Sequence, residues 1–429
     1  MHPIPPYNAL ICRYNEIGTK GRNRIIFEEH LNYGLIRAFL KIGNVRTQIE
    51  HGRIFVFPPK GRDFFTEEEC KFLRERTATI PGVSSISLGY YTEPTFEAIR
   101  KAVLDSFPAF AERFLQGYTG DVPSYAMRAR RSDKGFPMTC EELERVFAEL
   151  LLPQYPQFHL DLSHPDFRVE VEIRQHQAFV SYERVLGPGG LPGGTGGNLL
   201  ALLSGGFDSP VACYEMMRRG CHVDYITFHS EPYTPPAYLT KVANLAKTLN
   251  QYQTRGRLVA VNLLSAQKCI RDNCKSRYRT VLYRRMMLRL ATRVAQDSTN
   301  SLALLTGDNL GQVASQTLKN MAVIDRATEM LVLRPLLSFE KLHIMEIARE
   351  IQTHDISVEP IPDSCTVFAP DDPCTSSYLD AIEAEEARIP VAELLEECLA
   401  ASFFLNPNTL SKYPLVSGSA GDLPVEKDE

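Results

Sequence analysis

The 429-residue sequence predicts an α/β protein: two small α+β units followed by a doubly wound parallel sheet. Three observations carry that expectation. From Leu199 onward, short apolar runs alternate with segments of helical spacing, the pattern of a parallel sheet covered on both faces. Before that point, runs with period-two alternation are separated by fewer helical segments. Between the two lies LGPGGLPGGTGG, residues 186–197, a flexible connector and the strongest boundary signal in the chain.

The elements follow in order. ALICRYNEI reads as a strand with Leu10 and Cys12 on one face. GTKGRNRIIFEEHLNYGLIRAFLKIG is loop and amphipathic helix, with Phe27, Leu31, Leu35, Ile36 and Phe39 near helical spacing. RTQIEHGRIFVFPP is a pair of strands bounded by Gly52 and Pro58, and TEEECKFLRERTATI is a helix. The second unit begins near Pro81 with the strand VSSISLGYYTE and the helix TFEAIRKAVLDSFPAFAERFL. SYAMRARRSD is a strand with protruding arginines, and Thr139 and Glu142 have the spacing of a capping box. FRVEVEIRQHQAFVSYERV holds two alternating strands. The third unit runs through LLALLSGG, SPVACYEMMRRG, HVDYITFHS, PPAYLTKVANLAKTLNQY, GRLVAVNLLS, SRYRTVLYRRMMLRLATRVAQDS and SLALLTGD. After Leu405 the chain turns to Ser, Gly, Pro and acidic residues, which predicts a disordered tail.

Composition narrows the class. Apolar residues make up 44% and charged residues 23%, as in ordinary soluble proteins. No apolar run reaches the roughly 18 residues of a membrane span, and the N-terminus does not read as a signal peptide. Ten cysteines are too sparse for a disulfide scaffold and suit a reducing cytoplasm. Cys269 and Cys274 are spaced Cys-x₄-Cys, which is no standard zinc pair. The net charge of −5 is unevenly spread: residues 371–429 hold 13 acidic and 3 basic side chains, leaving +5 on the other 370. The basic segments are Arg13 to Arg62, Arg128 to Lys134 and Lys268 to Arg293. They hint at a phosphate-backbone partner, although a solvated surface is the plainer reading of charge alone.

The most informative stretch is Ser204-Gly205-Gly206-Phe207-Asp208-Ser209, between the apolar run ending at Leu203 and a helix. Glycines there bring main-chain N–H groups against an anion, the serine hydroxyls donate further bonds, and the helix directs its positive end to the same point. The stretch therefore reads as a phosphate cradle. It has neither the Gly-Lys-Ser/Thr of the Walker loop nor the three-glycine dinucleotide spacing. An aspartate beside phosphates repels them unless it helps hold a cation, so Asp208 suggests Mg²⁺. The plain alternative is a strand-to-helix turn with a capping Asp208.

Ser-Gly-Gly-Phe-Asp-Ser resembles the pyrophosphate-binding loop of the N-type ATP pyrophosphatases, which split ATP between its α and β phosphates. Four further segments are similar to the ThiI family of tRNA 4-thiouridine synthetases: CRYNEIGTKGRNRIIFEEHL, GGLPGGTGG, the run from YRRMMLRLA through LLTGDNLGQVASQTLKNMAVIDRATEMLVLRPLLSFEKLHIMEIA, and PDSCTVFAPDDP. The resemblance implies a ferredoxin-like domain over residues 1–76, a THUMP RNA-binding domain over 77–186, a linker at 187–198, a PP-loop ATP pyrophosphatase domain over 199–404 and an acidic tail over 405–429. It implies that ATP adenylates O4 of a tRNA uridine and that a persulfide sulfur displaces AMP to leave 4-thiouridine. A sulfur supply to the thiamine thiazole is a further implied role.

The same resemblance distributes roles. Leu202, Leu203, Ser204, Gly205, Gly206, Ser209, Thr227, Phe228, Arg284, Gly307 and Gln316 would hold ATP. Arg285 could replace Arg284, and family members often have His where Thr227 stands. Asp208 would serve Mg²⁺ and catalysis, and Lys341 would neutralise charge in the adenylation transition state. Cys365 would carry or resolve the persulfide, with Cys374 as a possible second thiol. Many members end in a rhodanese domain; the short stretch after Cys365 leads us to expect sulfur from a cysteine desulfurase or another persulfide donor. Arg13, Lys20, Arg22, Arg24, Arg128, Arg130 and Arg131 are the candidate tRNA phosphate contacts. A homodimer is left open, and no membrane partner is expected. Two rivals remain at this stage: another adenylating PP-loop enzyme acting on tRNA, and a catalytically retired THUMP RNA-binding protein.

Overall fold

The structure, a computed structural model, describes residues 2–50, 52–363 and 367–415. The chain divides into two compact units, Met1–Pro192 and Gly193–Glu429.

The first unit contains strands β1 (Ala9–Arg13), β2 (Arg46–Glu50), β3 (Arg53–Phe57), β4 (Ser85–Thr92), β5 (Ser124–Arg131), β6 (His159–Leu160), β7 (Phe167–Ile173), β8 (Ala178–Ser181) and β9 (Val185–Leu186). Its helices are α1 (Arg24–Ala38), α2 (Glu67–Thr77), α3 (Phe96–Gly117) and α4 (Cys140–Leu151). The strands form one sheet in the order β2-β3-β1-β4-β8-β7-β5-β6, with β9 beside β4. Because side chains alternate across a strand, Leu10 and Cys12 enter the large apolar core, while Ile11 packs with Phe55 and Phe179 on the other face. The capping boxes Thr66–Glu69 and Thr139–Glu142 start α2 and α4. The expected division at residue 76 does not divide the sheet, since β4 pairs with β1 from Ser85 to Gly89 and with β8 from Gly89 to Thr92.

The connector is hydrogen-bonded, contrary to the expectation of a flexible link. Gly187 and Gly189 donate to Ser84 and Val83 carbonyls at 3.1 and 2.8 Å, and Gly196 donates to Gly220 at 2.9 Å. Gly187 lies so close to Val83 that a Cβ there would meet its carbonyl oxygen at 2.4 Å. Here glycine permits close packing rather than free rotation.

The second unit contains β10 (Asn198–Leu202), β11 (His222–His229), β12 (Leu258–Asn262), β13 (Ala303–Leu305), β14 (Leu331–Leu333), β15 (Phe403–Leu405) and β16 (Lys412–Pro414). Its helices are α5 (Asp208–Arg218), α6 (Ala237–Leu249), α7 (Leu264–Asn273), α8 (Arg279–Val294), α9 (Leu318–Asp325), α10 (Lys341–Glu350), α11 (His354–Val358), α12 (Leu379–Glu386) and α13 (Val391–Ala400). The sheet order is β14-β13-β10-β11-β12-β15-β16. The first five strands are parallel, and apolar cores cover both faces, as the alternation predicts. The last two strands are antiparallel and correct the expected tail: Phe403 to Leu405 pairs with Lys412 to Pro414, so the fold continues past Leu405. Phe404 and Leu405 are buried, which is what draws this stretch onto the sheet edge.

Candidate active site

The chain reverses direction across the sheet between β10 and its neighbours β11 and β13, and ligands bind at the carboxyl edge of such a point. The Ser204–Ser209 loop sits there and opens onto a cavity of about 520 Å³ lined by Leu202, Leu203, Ser204, Asp208, Ser209 and Phe228. Ser209 staples the loop. Its hydroxyl accepts from the Ser204 N–H at 2.9 Å and lies 3.1 Å from the Ser204 hydroxyl. Among the described residues Gly206 has no atom beyond its chain neighbours nearer its missing Cβ than the Ser204 hydroxyl at 3.7 Å, so none of them demands a glycine there. A closely approaching ligand would. Gly307 differs: a Cβ there would meet Ser209 N at 2.6 Å and the Asp208 carbonyl carbon at 2.7 Å. The start of α5 rests directly on it.

Asp208 opens α5 but does not cap it. Its carboxylate instead takes Lys341 Nζ at 2.8 and 3.0 Å and Gln312 Nε2 at 3.3 Å. The capping alternative is therefore set aside, and Lys341 is brought to the loop.

Arg284 and Gln316 also line the cavity, and both reach a residue that sequence reasoning missed. Asp308, buried beside Gly307, receives Arg284, Arg334 Nε at 3.1 Å, Thr306 Oγ1 at 2.8 Å and Gln316 Nε2 at 3.2 Å. Burial pushes its carboxyl up, but Arg284, with Thr306 and Arg334, outweighs burial and holds it well below the usual range. Arg285 is the structural neighbour: it is buried and bonds Glu386 twice at 2.8 Å. Lys241, also unanticipated, lies under Gly205 and donates to the Ser357 and Glu359 carbonyls at 3.0 and 2.8 Å. No local signal marks these two. Asp308 acquires meaning only from arginines 24 and 26 positions away, and Lys241 sits unremarked in a helical run.

Other expectations meet mixed outcomes. Thr227 is buried with its hydroxyl 3.3 Å from the Tyr238 hydroxyl and does not line the cavity, unlike Phe228. Cys365 lies outside the described residues; the nearby Asp363, Ala369 and Pro370 line the cavity. Cys374 is buried, its N–H donating to Arg277 and its carbonyl accepting from Asn320. Among the described residues no cysteine is disulfide-bonded and no cluster of three metal-ligand side chains occurs.

Arg13 is corrected. It is 2% exposed and bonds Glu172 at 2.7 Å and Ser87 at 2.7 Å, with Glu170 at 3.4 Å. A guanidinium so enclosed neutralises two sheet carboxylates and cannot meet RNA. Arg131 ties down a loop through the Phe136 and Met138 carbonyls. Arg24 is half-buried against Glu28 at 3.3 Å. Arg22 and Arg130 are exposed, and Lys20 and Arg128 partly so.

The fit of the implied groups follows from these residues. The cavity, the two-serine cradle and the cations Arg284 and Lys341 suit a nucleotide triphosphate. Asp208 is a single carboxylate at the loop, so a Mg²⁺ there would take it together with phosphate oxygens, as that ion commonly does.

Fold and site thus define an α/β protein with a PP-loop domain and an α+β module before it. Residues 194–391 match the family model "Thiamine biosynthesis protein (ThiI)", residues 9–87 the ThiI ferredoxin-like domain and residues 95–183 the THUMP domain. A probable tRNA sulfurtransferase of Moorella thermoacetica is 38% identical over 394 residues, 92% of this chain and 96% of that one. Its counterpart in Alkaliphilus oremlandii is 36% identical, covering 92% and 97%. A crystal structure of a 4-thiouridine synthetase–RNA complex with bound ATP superposes with a TM-score of 0.80 at 33% identity, over 93% of this chain and 99% of that one. The chain belongs to the ThiI family of tRNA sulfurtransferases. Among the described residues no helix is long and apolar enough to cross a membrane.

Proposed function

We propose that this enzyme uses ATP to convert a uridine of tRNA to 4-thiouridine. The observation that carries the reading is the Ser204–Ser209 cradle, stapled by Ser209, backed by Gly307 and opening on the 520 Å³ cavity. ATP supplies the adenylyl group. Main-chain N–H groups of the loop and the start of α5 hold the phosphates being released, while Leu202, Leu203 and Phe228 give the nucleotide apolar walls. Arg284, fixed by Asp308, and Lys341, fixed by Asp208, stabilise charge developing at the α-phosphate.

The uracil carbonyl is a poor electrophile. Bonding O4 to the α-phosphorus releases pyrophosphate and makes that oxygen a leaving group. The outer sulfur of a persulfide then bonds to C4 and the C4–O bond breaks with AMP; a second thiol attacks the inner sulfur, the S–S bond breaks to release 4-thiouridine, and an external thiol reductant reduces the disulfide that remains. Cys365 carries or resolves the persulfide, which a cysteine desulfurase or similar donor delivers. Lys20, Arg22, Arg128 and Arg130 contact tRNA phosphates. Sulfur supply for a thiazole is a second use of the same persulfide.

The test is direct. Purified protein is given unmodified tRNA transcript, ATP, magnesium and a sulfide source. AMP and pyrophosphate should form together with the thiouridine absorbance band; no ATP consumption under these conditions would overturn the reading.

A further inference from the structure

The basic segment from Lys268 to Arg293 holds nine lysines and arginines, and the structure sorts them into two groups. Arg285 and Arg289 are spent on Glu386, Arg293 pairs with Asp297 and Glu396, and Arg284 belongs to the cavity. Of the remaining five, Lys268, Arg271, Lys275 and Arg277 precede α8 and Arg279 is its first residue.

Four cations follow residues 367–378 along the surface. Arg271 stacks over Phe368 with its guanidinium 4.6 Å from the ring centre. Phe368 packs edge-on against Tyr233 at 5.1 Å, and Lys268 lies 5.8 Å over Tyr233. Further along, the Arg277 carbonyl accepts from the Cys374 N–H at 2.9 Å. Lys319 donates to Ser376 at 3.0 Å and lies 5.3 Å over the Tyr378 ring. Tyr233 and Tyr378 are 52% and 67% exposed. Among the described residues Lys268, Arg277 and Lys319 have no carboxylate partner, whereas Arg271 holds Asp272 at 2.7 Å and Lys275 holds Glu385 at 3.3 Å. Asp371 and Asp372 are the exposed acids of the same stretch.

This rim is continuous with the cavity. Ala369, Pro370 and Pro373 belong to the cavity wall, as do Thr280 and Tyr283 of α8. Cations alternating with exposed rings are how single-stranded nucleic acid is held: the cations track phosphates and the rings stack on bases. An acidic protein surface would use the charges but leave the exposed rings unexplained.

We propose that this rim is the surface by which the catalytic unit grips tRNA beside the nucleotide that enters the cavity, with Lys268, Arg277 and Lys319 on phosphates and Tyr233 on a base. The inference rests on the tRNA reading above but has its own readout, because RNA binding is measured whether or not sulfur is transferred.

The experiment uses the full chain with Lys268→Ala, Arg277→Ala and Lys319→Ala combined, a charge-keeping Lys268→Arg, Arg277→Lys, Lys319→Arg variant, and Tyr233→Ala. Affinity for unmodified tRNA transcript is measured across a salt series, beside ATP affinity and 4-thiouridine formation. The alanine variant should flatten the log affinity against log salt line by about two to three. It should also lose roughly ten-fold or more in kcat/KM for tRNA, with ATP affinity within about two-fold of wild type. The charge-keeping variant should stay near wild type, and Tyr233→Ala should lower kcat/KM for tRNA while leaving the salt slope unchanged. Wild-type affinity and slope in the alanine variant overturn the proposal. So does lost sulfur transfer with intact tRNA binding, which would assign the rim to the protein that delivers sulfur. A wild-type chain that binds tRNA with this salt response but forms no thiouridine refutes the functional reading and leaves the rim standing.

Discussion

Gly307 shows how much one absent methyl group decides. A Cβ there would press on backbone atoms of Asp208 and Ser209, which cannot swing aside like the end of a side chain. Gly307→Ala must therefore displace the start of α5. Misplacing reacting groups by about an ångström can cost about 100-fold in rate, so steady-state assays of this variant should show a loss of that order while circular dichroism stays near wild type. Unchanged kcat/KM for ATP would mean the loop does not position the phosphates. The motif itself was readable, because Ser204, Gly205, Gly206, Asp208 and Ser209 are adjacent in sequence. Arg13 was not: its partner Glu172 is 159 positions away, and a basic residue at a strand end looks the same whether it faces solvent or a carboxylate. Arg13→Ala leaves the buried Glu172 to Arg53 alone and Glu170 to the longer contacts of Arg168 and Arg184, and should destabilise the protein by up to about 3–5 kcal/mol in denaturant melts. Arg22→Ala and Arg130→Ala should weaken tRNA binding without such a loss. If Arg13→Ala melts like wild type, the ion cluster carries no structural weight.

At the level of elements, the alternation after Leu199 foretold the parallel strands because burial on both faces leaves a near-continuous apolar signature. The antiparallel pair β15–β16 gave no such signal, since three-residue strands are too short for a period to register. That pair adjoins His229 at the end of β11, packed against Phe403 and 3% exposed, with no hydrogen-bond partner at Nε2 among the described residues. Burial lowers its pKa to about 4. The sign follows from proton binding. Between its ordinary value near 6.5 and about 4, the unfolded chain holds a proton at this residue that the folded chain refuses, so stability falls as pH falls through that window. The full contribution is present above 6.5, and the slope approaches about 1.4 kcal/mol per pH unit. His229→Leu should flatten the dependence of unfolding free energy on pH over this range. An undiminished slope would place the responsible group elsewhere.

Over the whole molecule, the glycine-rich connector stands out because turn-forming residues in a row are a local signal, and the boundary between the two compact units, Pro192 to Gly193, falls within it. The sheet shared across residue 76 was not announced, because pairing of β1 with β4 joins segments some 75 positions apart. The second unit has its own two cores, and β10, β11 and β13 lie at their centre beneath the proposed nucleotide. Anything that binds only the folded form stabilises it, by about 2.7 kcal/mol at a hundred times Kd. Amides of these strands that exchange only through opening of the unit should therefore slow roughly 100-fold when ATP is added at that excess. Mass spectrometry of deuterium uptake resolves these strands separately. GTP at the same concentration serves as the comparison, since Leu202, Leu203 and Phe228 wall the cavity for any purine and the readout then reports base preference as well. Slowing by ATP confined to the exposed loops, with β10 and β13 unchanged, would show that the nucleotide touches the surface without being held at the cradle.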